Sequence, residues 1–421
     1  MWPRKQLDIG WRDLVFGLSQ FAPLRAPPPD ISVVPPIWTP PDEVLVSLSV
    51  RTGWDLLLTA LRLPPTSEIV MSSVTIRDMA RIVEHHGLAA VPIDVDAERL
   101  EPDLNHLEQS LSPRTRAILV AHLFGSRVNM EPIIRLAKLH ELYVIEDCAQ
   151  AFVGSSYAGH EKSDCSLFSF GPIKTATALG GAILRVRDPD LRRRMVALQS
   201  EYPVQSDRAY VRRLLKYATF RLVSKRLPYS ALVRYCLALG IDYDEAFSNA
   251  AHSFGQSNFF QRIQQRPCVP LVQMLKRRTG RFESHGWAQL QRRAERGVRL
   301  AKSLPAGMIL GAENPSHTYW ALAVRISNPG ETLAALRAAG FDATTRSSLV
   351  VIPSPPGQSM NRRECASWLA EAIFLPNGDD MPDHEWQRMA SLLGQVAGAV
   401  PFSEPARRQE VAAPPRISVP S

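Results

Sequence analysis

Long hydrophobic runs are missing from this chain. No uninterrupted apolar stretch reaches the roughly 20 residues that a bilayer-spanning helix needs. Cysteine is scarce: the five, Cys148, Cys165, Cys236, Cys268 and Cys365, show no C-x-x-C spacing. They read as reduced, structural thiols and point to a cytoplasmic setting. The opening MWPRKQLDIGWRDLVFGL has no clean apolar core, carries Asp8 and Asp13, and lacks a small-residue cleavage site, so it is not read as a signal peptide. No internal repeat is visible. Acidic residues are absent from one long stretch: residues 208–241 hold eight basic side chains and no acidic one, which equals the whole formal excess of +8. The basicity is therefore local. Without a recognised binding motif it does not indicate a nucleic-acid partner.

What the chain does have is length, 421 residues, enough for a large core and two domains. Its most informative part is 144–185, VIEDCAQAFVGSSYAGHEKSDCSLFSFGPIKTATALGGAILR. The apolar run 142–145 ends in Glu146-Asp147, as a buried parallel strand does when it delivers a carboxylate to its C-terminal edge. A second run, 165–170, ends at Gly171-Pro172, and Lys174 follows. Gly180-Gly181 then opens a third run, 182–186. An acid and an amine thus stand at the mouths of neighbouring strands, with small residues around the amine. Pyridoxal phosphate needs such a pair, a lysine for the Schiff base and an acid for the pyridine nitrogen. The alternative is an exposed Asp and a surface lysine. The Gly/Pro and Gly-Gly punctuation around Lys174 argues against that.

The elements EDCAQ, FSFGPIK and GG resemble the DegT/StrS-type sugar aminotransferases, which are fold-type I pyridoxal-phosphate enzymes. The resemblance covers roughly 44–400 and is least over 201–265. It implies an α/β fold: a large domain with a mainly parallel sheet between helices, and a smaller C-terminal α/β domain. It implies that Lys174 binds the cofactor and shuttles a proton and that Asp147 pairs with the pyridine nitrogen. By the same resemblance, Gln150 lies near the phenolic oxygen and Ser169 binds the phosphate. Some relatives carry histidine in place of the lysine and dehydrate; Lys174 favours transamination. The resemblance further implies glutamate as amino donor, a nucleotide-linked keto-sugar as acceptor, a homodimer, and a place in cell-surface polysaccharide or natural-product biosynthesis.

Upstream, alternating strands and helices argue for a parallel sheet covered on both faces. A strand is predicted over 44–50, a turn at Arg51-Thr52-Gly53-Trp54 and a helix over 55–63. A glycine-containing turn before a helix is a ready anion site. The family has Gly-Thr there. Here Gly53-Trp54 stands in its place, with Thr52 offering a hydroxyl, and all three are candidates for the cofactor phosphate. Val74 and Ile76 take the place of a stacking aromatic. His122 falls at the C-terminal side of the predicted strand 115–124, either packed behind the site or touching the cofactor. Arg266, in Gln264-Gln265-Arg266, is the nearest counterpart of a family Arg that reaches a partner subunit's cofactor phosphate, and is a candidate for the substrate diphosphate. Leu179 replaces an acid of the family pattern.

The expected organisation is a Pro-rich N-terminal arm over 1–43 with a short amphipathic helix in 8–21, a cofactor domain over 44–200, and a basic helical insert over 201–265. A small domain over 266–400 and a disordered tail over 401–421 follow. The insert is predicted to break at Pro228. Its basic and apolar mixture has three readings: packed helices with a solvated basic rim, a cover that draws a diphosphate to the site, or peripheral contact with an anionic membrane through 208–241. Two rival functions stand beside transamination. One is a pyridoxal-phosphate dehydratase or lyase. The other is a catalytically idle relative that binds a sugar nucleotide or a membrane.

Overall fold

The computed structural model describes residues 1–4, 7–21, 43–245, 258–354 and 368–397. The proline-rich part of the expected arm, Cys365 and the expected tail lie outside the described residues.

Eight strands come first in the chain: β1 (Val44–Ser47), β2 (Glu68–Ser72), β3 (Val74–Ile76), β4 (Ala89–Ile93), β5 (Thr115–Ala121), β6 (Tyr143–Asp147), β7 (Cys165–Ser169) and β8 (Ala182–Val186). All but β3 form one sheet in the order β1-β8-β7-β6-β5-β2-β4. The five strands β4, β2, β5, β6 and β7 run parallel. β8 is antiparallel to β7 and β1 to β8. The expected mainly parallel sheet between helices is what the chain forms.

Alternation along each strand sends side chains to opposite faces. Ile69, Met71 and Leu119 join one core with α2 (Val50–Leu61), α3 (Arg77–His85) and, further along, α6 (Pro189–Ser200). Val70, Ile118 and Val120 join another with α4 (Leu104–Gln109) and α5 (Met130–Leu139). The strands are buried on both faces, which is why they read as continuous apolar runs.

The N-terminal helix α1 (Trp11–Ser19) packs against α7 (Asp207–Val223) and α10 (Val269–Gly280). Together they cover Phe168, Phe170 and Ile183 at the antiparallel end of the sheet. Between these lie α8 (Arg226–Ala238) and α9 (Phe259–Ile263). The remaining elements are α11 (Trp287–Ser303), β9 (Leu322–Arg325), α12 (Pro329–Ala338), β10 (Leu349–Val351), β11 (Ala372–Leu375) and α13 (Asp383–Ala397). β9 pairs with β11, and their core holds Val324, Leu336, Phe341, Ile373, Trp386 and Met389. β10 pairs with β3, which ties the small domain back to the large one.

One sequence expectation shifts. The helical insert breaks at Ser224–Lys225, and Pro228 sits inside the first turn of α8. Proline is tolerated there because first-turn N–H groups have no intrahelical partner. The N-terminal segment, in its described part, is woven into the body. Trp2 is buried in the small-domain core, and the Arg4 guanidinium is bonded to Asp244 of the insert and to Asp342 at 2.6 Å. Asp244 also binds Arg337 at 2.9 Å, and Tyr229 donates to Asp342 at 2.6 Å.

All three charges at that junction are nearly inaccessible, with side-chain exposures of 7%, 4% and 2% for Arg4, Asp244 and Asp342. Arg4→Ala should therefore cost about 3 kcal/mol, because it leaves the buried Asp342 carboxylate without a cationic partner among the described residues. Chemical denaturation read by tryptophan fluorescence measures this.

Candidate active site

The C-terminal ends of β5, β6 and β7 open onto a cavity of about 930 Å³. Asp147, Gln150, Ser169 and Lys174 all line it. The sheet thus brings together the four residues that the sequence singles out in 144–185.

Asp147 is the last residue of β6, and the carboxylate accepts the Ala149 N–H at 3.0 Å. Burial pushes its pKa up, against that bond and the charge of Lys174. Lys174 follows a turn closed by its own N–H to Gly171 O at 3.0 Å. Its Nζ lies 4.4 Å from the centroid of the Trp320 ring. Desolvation lowers the ammonium pKa to about 8, with Asp147 opposing and Arg51 adding to the shift. Gln150 Oε1 accepts the Phe124 N–H at 2.8 Å, so its free donors are those of Nε2.

The loop that carries Lys174 is held from outside. Ala176 and Leu179 both have positive φ, at 52° and 64°. The Ala176 N–H donates to Asp8 Oδ2 at 2.6 Å, and Arg278 Nε donates to Thr177 O at 3.1 Å. Tyr210 donates to Ala178 O at 2.8 Å, and Arg213 to Leu179 O at 3.2 Å. Arg278 also pairs with Asp8 and Asp13, both at 2.8 Å.

Trp320 reaches the lysine from the small domain because Gly125 lets that segment approach. Gly125 has φ +97°, and a Cβ there would stand 2.5 Å from Thr318 Oγ1 and 2.6 Å from Trp320 N. Thr318 N–H and Ala321 N–H bond to Gly125 O and Phe124 O at 2.9 and 3.1 Å. Sequence reasoning missed Trp320. Its signal was faint, a tryptophan just ahead of β9 and 146 residues from the lysine that it covers.

Three expected phosphate residues do not face the cavity. The helix starts at Val50 with Ser49 as its cap, so Thr52, Gly53 and Trp54 are inside α2. Thr52 donates its hydroxyl to Ile263 O at 2.8 Å, and Trp54 its indole N–H to Met79 O at 3.1 Å. Gly53 is small because Leu184 lies where a Cβ would go, 2.6 Å away, and not because the chain turns there. Leu48, Ser49, Val50 and Arg51 line the cavity instead, which places the helix N-terminus at its edge. Of the residues offered in place of a stacking aromatic, Ile76 lines the cavity and Val74 is in the core. Arg266 lies outside the cavity of its own chain, its Nε bonded to Tyr202 O at 3.0 Å.

His122 touches the cavity, but both ring nitrogens are engaged. Nδ1 accepts the Val128 N–H at 2.9 Å, which leaves Nε2 to donate to Glu146 at 2.9 Å. Glu146 is fully buried and also accepts from Tyr157, from Ser166 at 3.0 Å and from the His160 N–H at 2.7 Å. Burial alone would raise its pKa, but His122 and Tyr157 outweigh it and hold the carboxyl at about 2.

Residues 44–219 match the profile of the DegT/DnrJ/EryC1/StrS aminotransferase family. A GDP-perosamine synthase of Caulobacter vibrioides is 35% identical over 153 residues, 36% of this chain and 41% of that protein. The UDP-4-amino-4-deoxy-L-arabinose--oxoglutarate aminotransferase of Shewanella sediminis is 33% identical over 157 residues, 37% of this chain and 40% of that one. The chain thus matches about two fifths of the length of these curated relatives. Among solved structures, the aminotransferase TlmJ from Streptoalloteichus hindustanus superposes with a TM-score of 0.59 at 20% identity, covering 93% of this chain and 92% of its own. The sugar aminotransferase CalS13 from Micromonospora echinospora does so at 0.64 and 17%, covering 94% and 100%. These two share the fold.

Two measurements check the electrostatics. The Lys174 amine should react with an acylating reagent with a pH midpoint near 8, below that of surface lysines, as peptide mapping by mass spectrometry would show. Glu146 has a folded pKa below its ordinary value of 4.5, so its contribution to stability is present above pH 4.5 and is lost as pH falls towards 2. That contribution is about 3 kcal/mol. Glu146→Gln should lower stability at neutral pH and flatten this acid limb in urea denaturation across the pH range.

Proposed function

We propose that this chain, whose residues 44–219 match the DegT/DnrJ/EryC1/StrS aminotransferase family, is a pyridoxal-phosphate-dependent aminotransferase. It moves an amino group from an amino acid, glutamate, to a keto-sugar linked to a nucleoside diphosphate. It works as a homodimer in the cytoplasm, in the biosynthesis of a cell-surface polysaccharide or a natural product. The observation that carries the reading is the desolvated Lys174 amine, its pKa lowered to about 8, in one cavity with the Asp147 carboxylate.

The residues present fit pyridoxal phosphate. Asp147 has a single hydrogen-bond donor, Ala149 N–H, among the described residues, so its other oxygen suits a protonated ring nitrogen. The Nε2 donors of Gln150 suit a phenolic oxygen. The Ser169 hydroxyl and the N-terminus of α2 at Val50 and Arg51 suit a phosphate. When bound, the cofactor supplies the electron sink that makes an α-proton labile. Lys174 accepts that proton as the free amine and returns it one position away, the task that a pKa near neutrality favours. Asp147 holds a fixed negative charge opposite, and Trp320 shields the amine from water. Arg213, Arg221 and Lys225 of the insert reach the cavity wall, and their charge suits a diphosphate. The names of the two curated relatives, a GDP-sugar and a UDP-sugar enzyme, support the nucleotide-linked acceptor.

Absorbance of the purified protein tests this, with pyridoxal phosphate supplied and with glutamate added, beside Lys174→Ala. Wild type should show a visible band that glutamate bleaches, and the variant should lack that response. A band that glutamate leaves unchanged would point to the dehydratase or lyase chemistry. Failure to bind the cofactor at all would remove the enzyme reading.

A further inference from the structure

The two insert helices carry more on their outer sides than the cavity uses. On α7, Arg208, Arg212, Leu215, Lys216, Thr219 and Leu222 recur at helical spacing and are all exposed. On α8, Leu227, Ala231, Arg234, Tyr235 and Ala238 form a second exposed stripe. Leu227 is 81% exposed, Tyr235 63% and Leu237 61%, and Leu239 and Ile241 continue the apolar surface beyond the helix. The opposite sides of the same helices are packed: Tyr210, Leu214 and Tyr217 of α7 join the core under the Lys174 loop, and Tyr229, Val233 and Cys236 of α8 form their own cluster. These helices are therefore anchored by one face and bare on the other among the described residues. Large exposed side chains of this kind mark a surface that meets something.

Charge says what it meets. From Arg208 to Ile241 every charged side chain is basic, and acids return only at the ends, Asp207 and Asp242. Arg208, Arg212 and Arg234 have no ion pair among the described residues. A second copy meeting this face across a two-fold axis would set like charges against like. Apolar side chains among unpaired basic ones instead match a lipid surface with anionic headgroups. No described helix is long and apolar enough to cross a membrane, so such contact lies at the interface.

We propose that the outward faces of α7 and α8 are a docking surface on which the protein settles peripherally against an anionic membrane. The inference is independent of the catalytic reading, because Arg213, Arg221 and Lys225 point to the cavity while the docking residues point away from it.

Co-sedimentation of the full chain with vesicles tests it. Phosphatidylcholine alone is compared with phosphatidylcholine containing phosphatidylglycerol, at low and high salt. Wild type should pellet with the anionic vesicles only, and less so at high salt. The triple variant Arg208→Gln, Arg212→Gln, Arg234→Gln should bind on the order of a hundredfold more weakly, as three lost surface charges predict. A second triple variant, Leu227→Glu, Tyr235→Glu, Leu239→Glu, should also fail to pellet, with a thermal midpoint like that of wild type. Absence of wild-type binding to anionic vesicles overturns the proposal. So does binding that survives either variant. A dimer that the second triple variant dissociates, with no vesicle binding, overturns it in favour of a self-association surface.

Discussion

The backbone of the Lys174 loop is the constraint on which much of the molecule depends. Two non-glycine residues in the left-handed region, Ala176 and Leu179, cost roughly 1–2 kcal/mol each. Such a path persists only when its polar groups are bound from outside. Here the binding groups come from four places in the chain: Asp8, Tyr210, Arg213 and Arg278. The N-terminal segment and the insert are therefore parts of the site. α7 and α10 carry Tyr210, Arg213 and Arg278 to the loop, and α1 packs against both just after Asp8.

A second constraint is the pair of neighbouring carboxylates at the end of β6. Strand alternation sends Glu146 and Asp147 to different surroundings. Glu146 is saturated with donors and stays ionised into strong acid. Asp147 keeps one backbone donor, and burial pushes its pKa up. Adjacent residues of one chemical type thus acquire different tasks. One cements β6 to β5 through His122, and the other faces the cavity with unsatisfied capacity.

What the sequence made legible follows from how local the physics is. The parallel sheet could be read from its continuous apolar strands, and Asp147 and Lys174 from 28 residues of punctuated sequence, while Gln150 and Ser169 came only from the family resemblance. Features set by distant packing were not legible. Gly53 looked like a turn, and only the position of Leu184 explains it as a close contact inside α2. That misreading displaced the helix start from Ser49 and carried Thr52 and Trp54 with it. Trp320 is placed by an approach of two backbones at Gly125, and nothing in the local pattern near either residue encodes it. Proline 228 suggested a break, but the same residue is at ease in a first helical turn.

The junction at Arg4 bears on how the chain is assembled in time. Arg4 and Asp342 are separated by 338 positions, so Arg4 acquires this partner only after the chain between them has been made. Synthesis proceeds at about 5–20 residues per second, and non-local contacts close late. Before then Asp244 is the ion-pair partner of Arg4 at this junction. The lysine loop likewise waits for Arg278, which binds both Asp8 and Thr177 O, so a chain stalled before Arg278 would carry Lys174 without the completed geometry around it.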